Sequence, residues 1–270
     1  MKEPKRVLFI SQEIYPYLAE ETPIRVLNRQ LPELFQSKGY ETRTFMPKFG
    51  DINERRNQLH EVIRLSGVNV IIDDTDHPLV IKVATLQPAR LQVYFIFNDD
   101  YFSKNVTKNL ETNTSPEDND ERSIFFVRSV LETVKKLRWV PDVIHCAGWI
   151  TALTTAYLKN VYNEDPAFRD AKVVYSIYEN DLPQAMDVRT GEKLAADGIS
   201  EANTAPIMGK AVDYIDLMKI AIDNSDGVMQ RCETLSPELE QYIKDSGKPF
   251  MACTGEALDP QSVIDFYKSL

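Results

Sequence analysis

The stretch RVLFISQEIYPYLAEETPIRVLNRQLPELFQSKGYETRTFMP, residues 6–47, reads as strand, helix and strand in succession. RVLFIS (6–11) is a short apolar run rich in residues that favour a pleated sheet. Thr22-Pro23 has the form of an N-cap followed by proline at the first helical position. Ile24, Leu27, Leu31, Leu34 and Phe35 then recur on one helical face, and Gly39 ends the pattern. Pro32 falls inside it, so a kink or break is expected there. YETRTFMP supplies a second strand, and a helix between two strands implies a parallel pair.

Further along, EVIRLSGVNVIID, PLVIKVATL and LQVYFIFN are three strand candidates without helices between them, a β-rich excursion. Residues 98–120 are polar and are expected to form a long loop. A helix from about Glu121 to Trp139 is predicted from Ile124, Val127, Leu131, Val134 and Leu137. The strands PDVIHC, AKVVYSI and PFMAC, and helices in ITALTTAYLKNVY, AVDYIDLMKIAIDNSDGVMQ, SPELEQYIKDSG and DPQSVIDFYKSL, complete the pattern. Residues 178–210 are expected to be loop with short helical pieces. The fold class is α/β, a single Rossmann-like, doubly wound parallel sheet over residues 1–270.

The chain of 270 residues is 43% hydrophobic and 27% charged, with a net charge of −10. That acidity argues against nucleic acid or an anionic membrane as partner, since neutralising phosphates requires clustered Lys and Arg. It leaves a neutral ligand such as a sugar open. No run approaches the ~20 apolar residues of a membrane span, and the N-terminus does not read as a signal peptide. Cys146, Cys232 and Cys253 are too few and too scattered for a disulfide framework, which points to the cytoplasm. His60, His77 and His145 are unpaired and no CxxC occurs, so no metal site is expected. Asp73, Asp74 and Asp76 form an acidic cluster whose ordinary role is a solvated face. No GxSxG, GxxxxGK[ST], HExxH or GxGxxG motif is present.

The order of segments resembles one family, the bacterial glycogen and plant starch synthases. VLFISQEIYPY is similar to its opening strand, with Glu13, Pro16 and Tyr17 at matching places. LPELFQSKGYETRTFMPKFGDI resembles its first helix and second strand. EDNDERSIFF resembles the segment before its long helix and includes Asn119, Glu121 and Arg122. LRWVPDVIHCAGWITALTTAYLK and LMKIAIDNSDGVM continue the match. The resemblance implies the N-terminal half of a GT-B glycosyltransferase that moves glucose from ADP-glucose to an α-1,4-glucan. In such enzymes a second domain holds the nucleotide sugar, and that domain is expected to be absent here.

The departures fall on chemistry. The family's Lys-Thr-Gly-Gly-Leu serves the donor diphosphate with backbone N–H groups, a helix N-terminus and a lysine. Aligned on Leu31-Pro32, Glu20, Glu21, Thr22, Pro23 and Ile24 occupy those places. A diphosphate ~4 Å from these carboxylates would meet about 1 kcal/mol of repulsion per charge pair even in bulk water. The ordinary role of two such acids is to complement the helix dipole. His-Cys-His-Asp-Trp becomes His145-Cys146-Ala147-Gly148-Trp149, and Thr-Ile-His-Asn becomes Ser176-Ile177-Tyr178-Glu179.

The candidate ligand-binding residues are therefore Glu13, Tyr17, Asn119, Glu121, Arg122, His145, Trp149 and Tyr178, with no catalytic residue and no cofactor assigned. His145 is placed either to line a crevice or to pack structurally, and Trp149 either to stack on a sugar or to fill the core. The expectation is a module that binds an α-glucan or a protein partner, without ADP-glucose binding and without transfer on its own. The alternative is a glucosyltransferase of glycogen synthesis completed by a partner chain. A hydrolase or transferase of another substrate class finds no nucleophile–base pair.

Overall fold

The computed structural model describes residues 5–103, 118–179, 182–253 and 259–270. β1 (Arg6–Ser11) leads to α1 (Pro23–Ser37) and β2 (Glu41–Pro47). Then come β3 (His60–Glu61), β4 (Val68–Ile72), β5 (Thr75–Leu86) and β6 (Leu91–Phe97). The short α2 (Asp99–Phe102) and long α3 (Asn119–Lys136) precede β7 (Val143–Ala147), α4 (Leu153–Asn160) and β8 (Lys172–Ile177). α5 (Thr190–Ala196), α6 (Glu201–Thr204), α7 (Tyr214–Asp223), β9 (Gly227–Gln230), α8 (Pro237–Ser246), β10 (Phe250–Ala252) and α9 (Pro260–Ser269) follow.

The sheet order is β10-β9-β8-β7-β1-β2-β6-β5-β3, with β4 paired to β5. From β10 to β6 every neighbouring pair is parallel; β5 meets β6, β4 and β3 antiparallel. The β-rich excursion is thus a set of antiparallel strands added to one edge of a doubly wound parallel sheet. One face is covered by α1 and α9, whose Leu31, Phe35, Val263, Ile264 and Tyr267 pack on Val7, Phe9, Val143, Val174 and Met229. The larger core on the other face includes Ile124 and Leu131 of α3, Leu153 of α4, Leu217 of α7 and Leu239 of α8.

α1 is capped as its sequence foretells: Thr22 Oγ1 accepts the Arg25 N–H at 3.4 Å and Pro23 opens the helix. The break expected at Pro32 does not occur. The helix runs unbroken from Pro23 to Ser37, because Leu31 and Phe35 on either side of the proline are anchored in the core, which outweighs one lost backbone bond. The expected loop at 98–120 also needs correction at its start. Asn98 Oδ1 accepts the N–H groups of Asp100 and Tyr101, and Tyr101 and Phe102 are buried, so these residues form a capped helical turn. α3 begins at Asn119, two residues earlier than expected; residues 104–117 of that loop lie outside the described residues. No helix among the described residues is long and apolar enough to cross a membrane.

Candidate functional site

Doubly wound sheets bind ligands at the C-terminal edge where strand order reverses. Here that point lies between β1 and β7, which pair in parallel, while the chain proceeds outward to β2 on one side and β8 on the other. The residues leaving these strands are Gln12 and Glu13 after β1, both buried, and Gly148 after β7. Gly148 has φ +94°, and a Cβ there would lie 2.5 Å from Gln12 Cβ and 2.6 Å from its Oε1. The Gln12 N–H also donates to Ala147 O at 2.9 Å. The side chain of Gln12 therefore occupies the space beside the position where the family motif carries an aspartate.

The β1–α1 turn is closed by its own side chains. Glu13 is buried, and its Oε2 accepts from Arg25 Nε at 2.5 Å. Arg25 Nη1 donates to Glu20 O at 2.9 Å and lies 4.0 Å from the Glu20 carboxylate, which is 65% exposed. Tyr15 hydrogen-bonds Glu21, and that bond together with the Glu21 charge raises the pKa of the phenol. From α1, Asn28 Nδ2 donates to Glu13 O at 3.0 Å, and its Oδ1 accepts from the Tyr178 hydroxyl at 3.4 Å. The helix end that cradles a diphosphate in the family's motif is here occupied by a threonine cap, a proline without an N–H, and a buried ion pair.

The other candidates fall into two groups. Asn119, Glu121 and Arg122 come together at the start of α3. Arg122 donates to Asn119 Oδ1 at 2.6 Å and to Tyr101 O at 2.8 Å, and pairs with Asp118 at 2.8 Å. Glu121 accepts from the Tyr101 hydroxyl at 2.9 Å and from Lys193 at 2.7 Å. Lys193 also holds the fully buried Asp120 at 2.8 Å, where burial raises the carboxyl pKa against the pull of the lysine. Beside Lys193 lies a cavity of about 200 Å³ whose wall includes Asp73, Arg189 and Asp197. Asp73 is bound bidentately by Arg189 at 2.7 and 2.9 Å. Among the described residues no group of three or more His, Cys, Asp or Glu is arranged to hold a metal ion.

His145, Trp149 and Tyr17 form the second group, inside the protein. His145 Nδ1 is hydrogen-bonded to the Tyr267 hydroxyl and Nε2 to Ser176 Oγ at 2.7 Å, beneath α9. Burial first, and the Arg231 charge second, depress its pKa to about 3, so the ring is neutral. Trp149 is 1% exposed and presents no face to a crevice. Tyr17 is buried edge-on against Phe95 at 4.8 Å, and burial raises its pKa. In this structure all three are buried, and His145 and Trp149 are packed rather than presented at the surface. Tyr178 is half-buried at the edge of the β1–α1 network, its pKa pushed up to about 12 by burial.

Sequence reasoning passed over Gln12, Arg25, Asn28, Lys193 and Arg231. A signal for two of them exists: Arg25 and Asn28 continue, at helical spacing, the buried face of Leu31, Pro32 and Phe35.

Comparison with known proteins agrees with this fold. Residues 6–249 match the family model described as the starch synthase catalytic domain. The chain belongs to that family. It is 36% identical over 219 residues to a glycogen synthase of Chlorobium chlorochromatii, covering 79% of this chain and 45% of that protein. It is 30% identical over 222 residues to a glycogen synthase of Pelodictyon phaeoclathratiforme, covering 82% of this chain and 44% of that protein. The chain therefore spans about half the length of the curated relatives it matches. The solved catalytic domain of Arabidopsis thaliana starch synthase IV, bound to ADP and acarbose, superposes with a TM-score of 0.71 over 96% of this chain and 53% of that one. At 19% identity this likeness shows the fold, the N-terminal half of a GT-B glycosyltransferase.

Proposed function

We propose that this family member binds an α-glucan or a protein partner and does not itself transfer glucose. The observation that carries the reading is the closed β1–α1 turn, where Arg25 pairs with Glu13 and Thr22 caps the helix. Placing a diphosphate there means displacing a buried ion pair and bringing anionic oxygens to Glu20 and Glu21. The likeness to a synthase domain bound to acarbose supports an oligosaccharide as ligand. The three free cysteines fit a reducing compartment such as the cytoplasm.

The test is transfer of labelled glucose from ADP-glucose to glycogen, with titrations of ADP and maltoheptaose followed by calorimetry. The expected outcome is transfer at background, no more heat with ADP than with inorganic phosphate, and saturable heat with maltoheptaose. Transfer above background by the purified chain overturns the proposal. Transfer only after lysate is added favours an enzyme completed by a partner chain.

A further inference from the structure

β8, β9 and β10 end in register, Ile177 beside Gln230 and Gln230 beside Ala252. The next residues, Tyr178, Arg231 and Cys253, stand side by side just past three adjacent parallel strands. The Arg231 N–H still donates to Ile177 O at 2.8 Å, and the Cys253 N–H to Gln230 O at 2.9 Å. Side chains alternate along a strand, so these three share the face of Val174, Met229 and Met251, which α1 and α9 cover.

Arg231 is 7% exposed. Nη2 of its guanidinium has no hydrogen-bond partner, and where burial raises the pKa of the Tyr178 hydroxyl and the Cys253 thiol, its positive charge works against that rise at both. Among the described residues no carboxylate lies within ion-pair distance of it. A buried cation without a counter-charge is unfavourable, and folded proteins ordinarily pair it. The local field is positive for a second reason. Phe266 and Leu270, at the end of α9, lie over Gly227 at the start of β9, so α9 runs back against the strands. Its N-terminal end then faces the edge where Arg231 sits. The nearest acid on that helix, Asp259, is engaged in capping the N–H groups of Gln261 and Ser262.

We propose that Arg231, with the Tyr178 hydroxyl beside it, binds an oxyanion of the phosphate-monoester class at the C-terminal edge of β8, β9 and β10. A tetrahedral phosphate presents oxygens to the guanidinium fork and to a phenol at once, and the fork suits it better than a point charge would. The site borders the β1–α1 network through Tyr178, whose hydroxyl donates to Asn28 Oδ1, and goes beyond the function proposed above.

The experiment is a ³¹P NMR titration of the full chain with inorganic phosphate and with methyl phosphate, and a calorimetric titration with acetate as a carboxylate arm. Saturable binding of both phosphates to the wild-type chain is expected, tighter than acetate. Arg231→Met should weaken it by about tenfold or more, the loss of a charge-assisted hydrogen bond. Tyr178→Phe should weaken it less, and the surface control Arg169→Met should bind as the wild type does. No saturable binding to the wild-type chain overturns the proposal, as does equal binding to Arg231→Met or tighter binding of acetate. The wild-type titration decides even where Arg231→Met fails to fold, and Arg231→Lys then supplies the folded variant that keeps the charge and loses the fork.

Discussion

Arg25 and Arg231 are buried at the same edge of one sheet, 3% and 7% exposed, and they differ in what the chain offers them. Arg25 is met by the Glu13 carboxylate at 2.5 Å, the Glu20 carbonyl at 2.9 Å and, farther off, the Glu20 carboxylate. Arg231 has a phenol and a thiol nearby and an Nη2 with no partner. A buried charge answered by the protein's own counter-charge is part of the scaffold and closes its surroundings to ligands. One left unanswered keeps its unsatisfied field available. The same edge therefore carries a charge-paired arginine over β1 and, among the described residues, one without a carboxylate partner over β9.

The comparison breaks most violently if Arg25 is put in the condition of Arg231. Glu13→Gln removes the counter-charge and strands a guanidinium in the interior, a loss of about 3–5 kcal/mol by analogy with other broken buried pairs. Urea denaturation at constant slope measures it. The double change Glu13→Leu with Arg25→Met should recover most of that loss, since desolvating two charges offsets much of what their attraction contributes. A single-variant loss below about 1 kcal/mol would mean that water reaches the pair.

A smaller effect comes from the close contact between Gly148 and Gln12. Gly148→Ala forces a Cβ to within 2.5 Å of Gln12 Cβ and holds alanine at φ +94°. Backbone strain and overpacking together should destabilise by about 1–3 kcal/mol. Adding Gln12→Ala should not restore full stability, because the first clash is with the Cβ that alanine retains and the backbone strain is untouched. The phosphate response assigned to Arg231 should persist in folded Gly148→Ala; its loss would show that the two regions are one site.

How much of this was legible beforehand depends on whether the signal was periodic. The strand and helix at 6–37, the cap at Thr22-Pro23 and the punctuation of α8 by Ser236 and Gly247 are local devices, visible because each acts through a few neighbouring residues. The change of residues at the five motif positions was also legible, since the sequence alone displays it. The side-chain pairs of the folded protein were not. Glu13 reaches Arg25 across twelve residues, Lys193 reaches Asp120 across seventy-three, and Tyr178 reaches Asn28 across one hundred and fifty. Nothing in periodicity marks such partners. Trp149 and His145 were ambiguous because a residue at a strand's end can face either a crevice or a covering helix, and only the position of α9 and the neighbouring turn decides it.

The gentlest test of the contrast uses His145 as a probe of the Arg231 charge. Its pKa in the fold is about 3, below the ordinary histidine value near 6.5, so on acidification the unfolded chain takes up its proton first. The contribution is therefore fully present above about pH 6.5 and is lost as pH falls toward 3, at no more than about 1.4 kcal/mol per pH unit. Burial is the larger cause of the depression and Arg231 the smaller. Arg231→Met should accordingly raise the His145 midpoint only part of the way, and make the acid limb of the stability curve shallower at its low end. Following the imidazole resonances by NMR separates the two causes. A midpoint that stays put in Arg231→Met would mean that another charge already neutralises the guanidinium, which is the condition of Arg25 and would erase the contrast between them. A midpoint that moves up in Arg231→Met, and also moves up when phosphate is added to the wild-type chain, is the outcome expected if the Arg231 charge is free to be answered by a ligand.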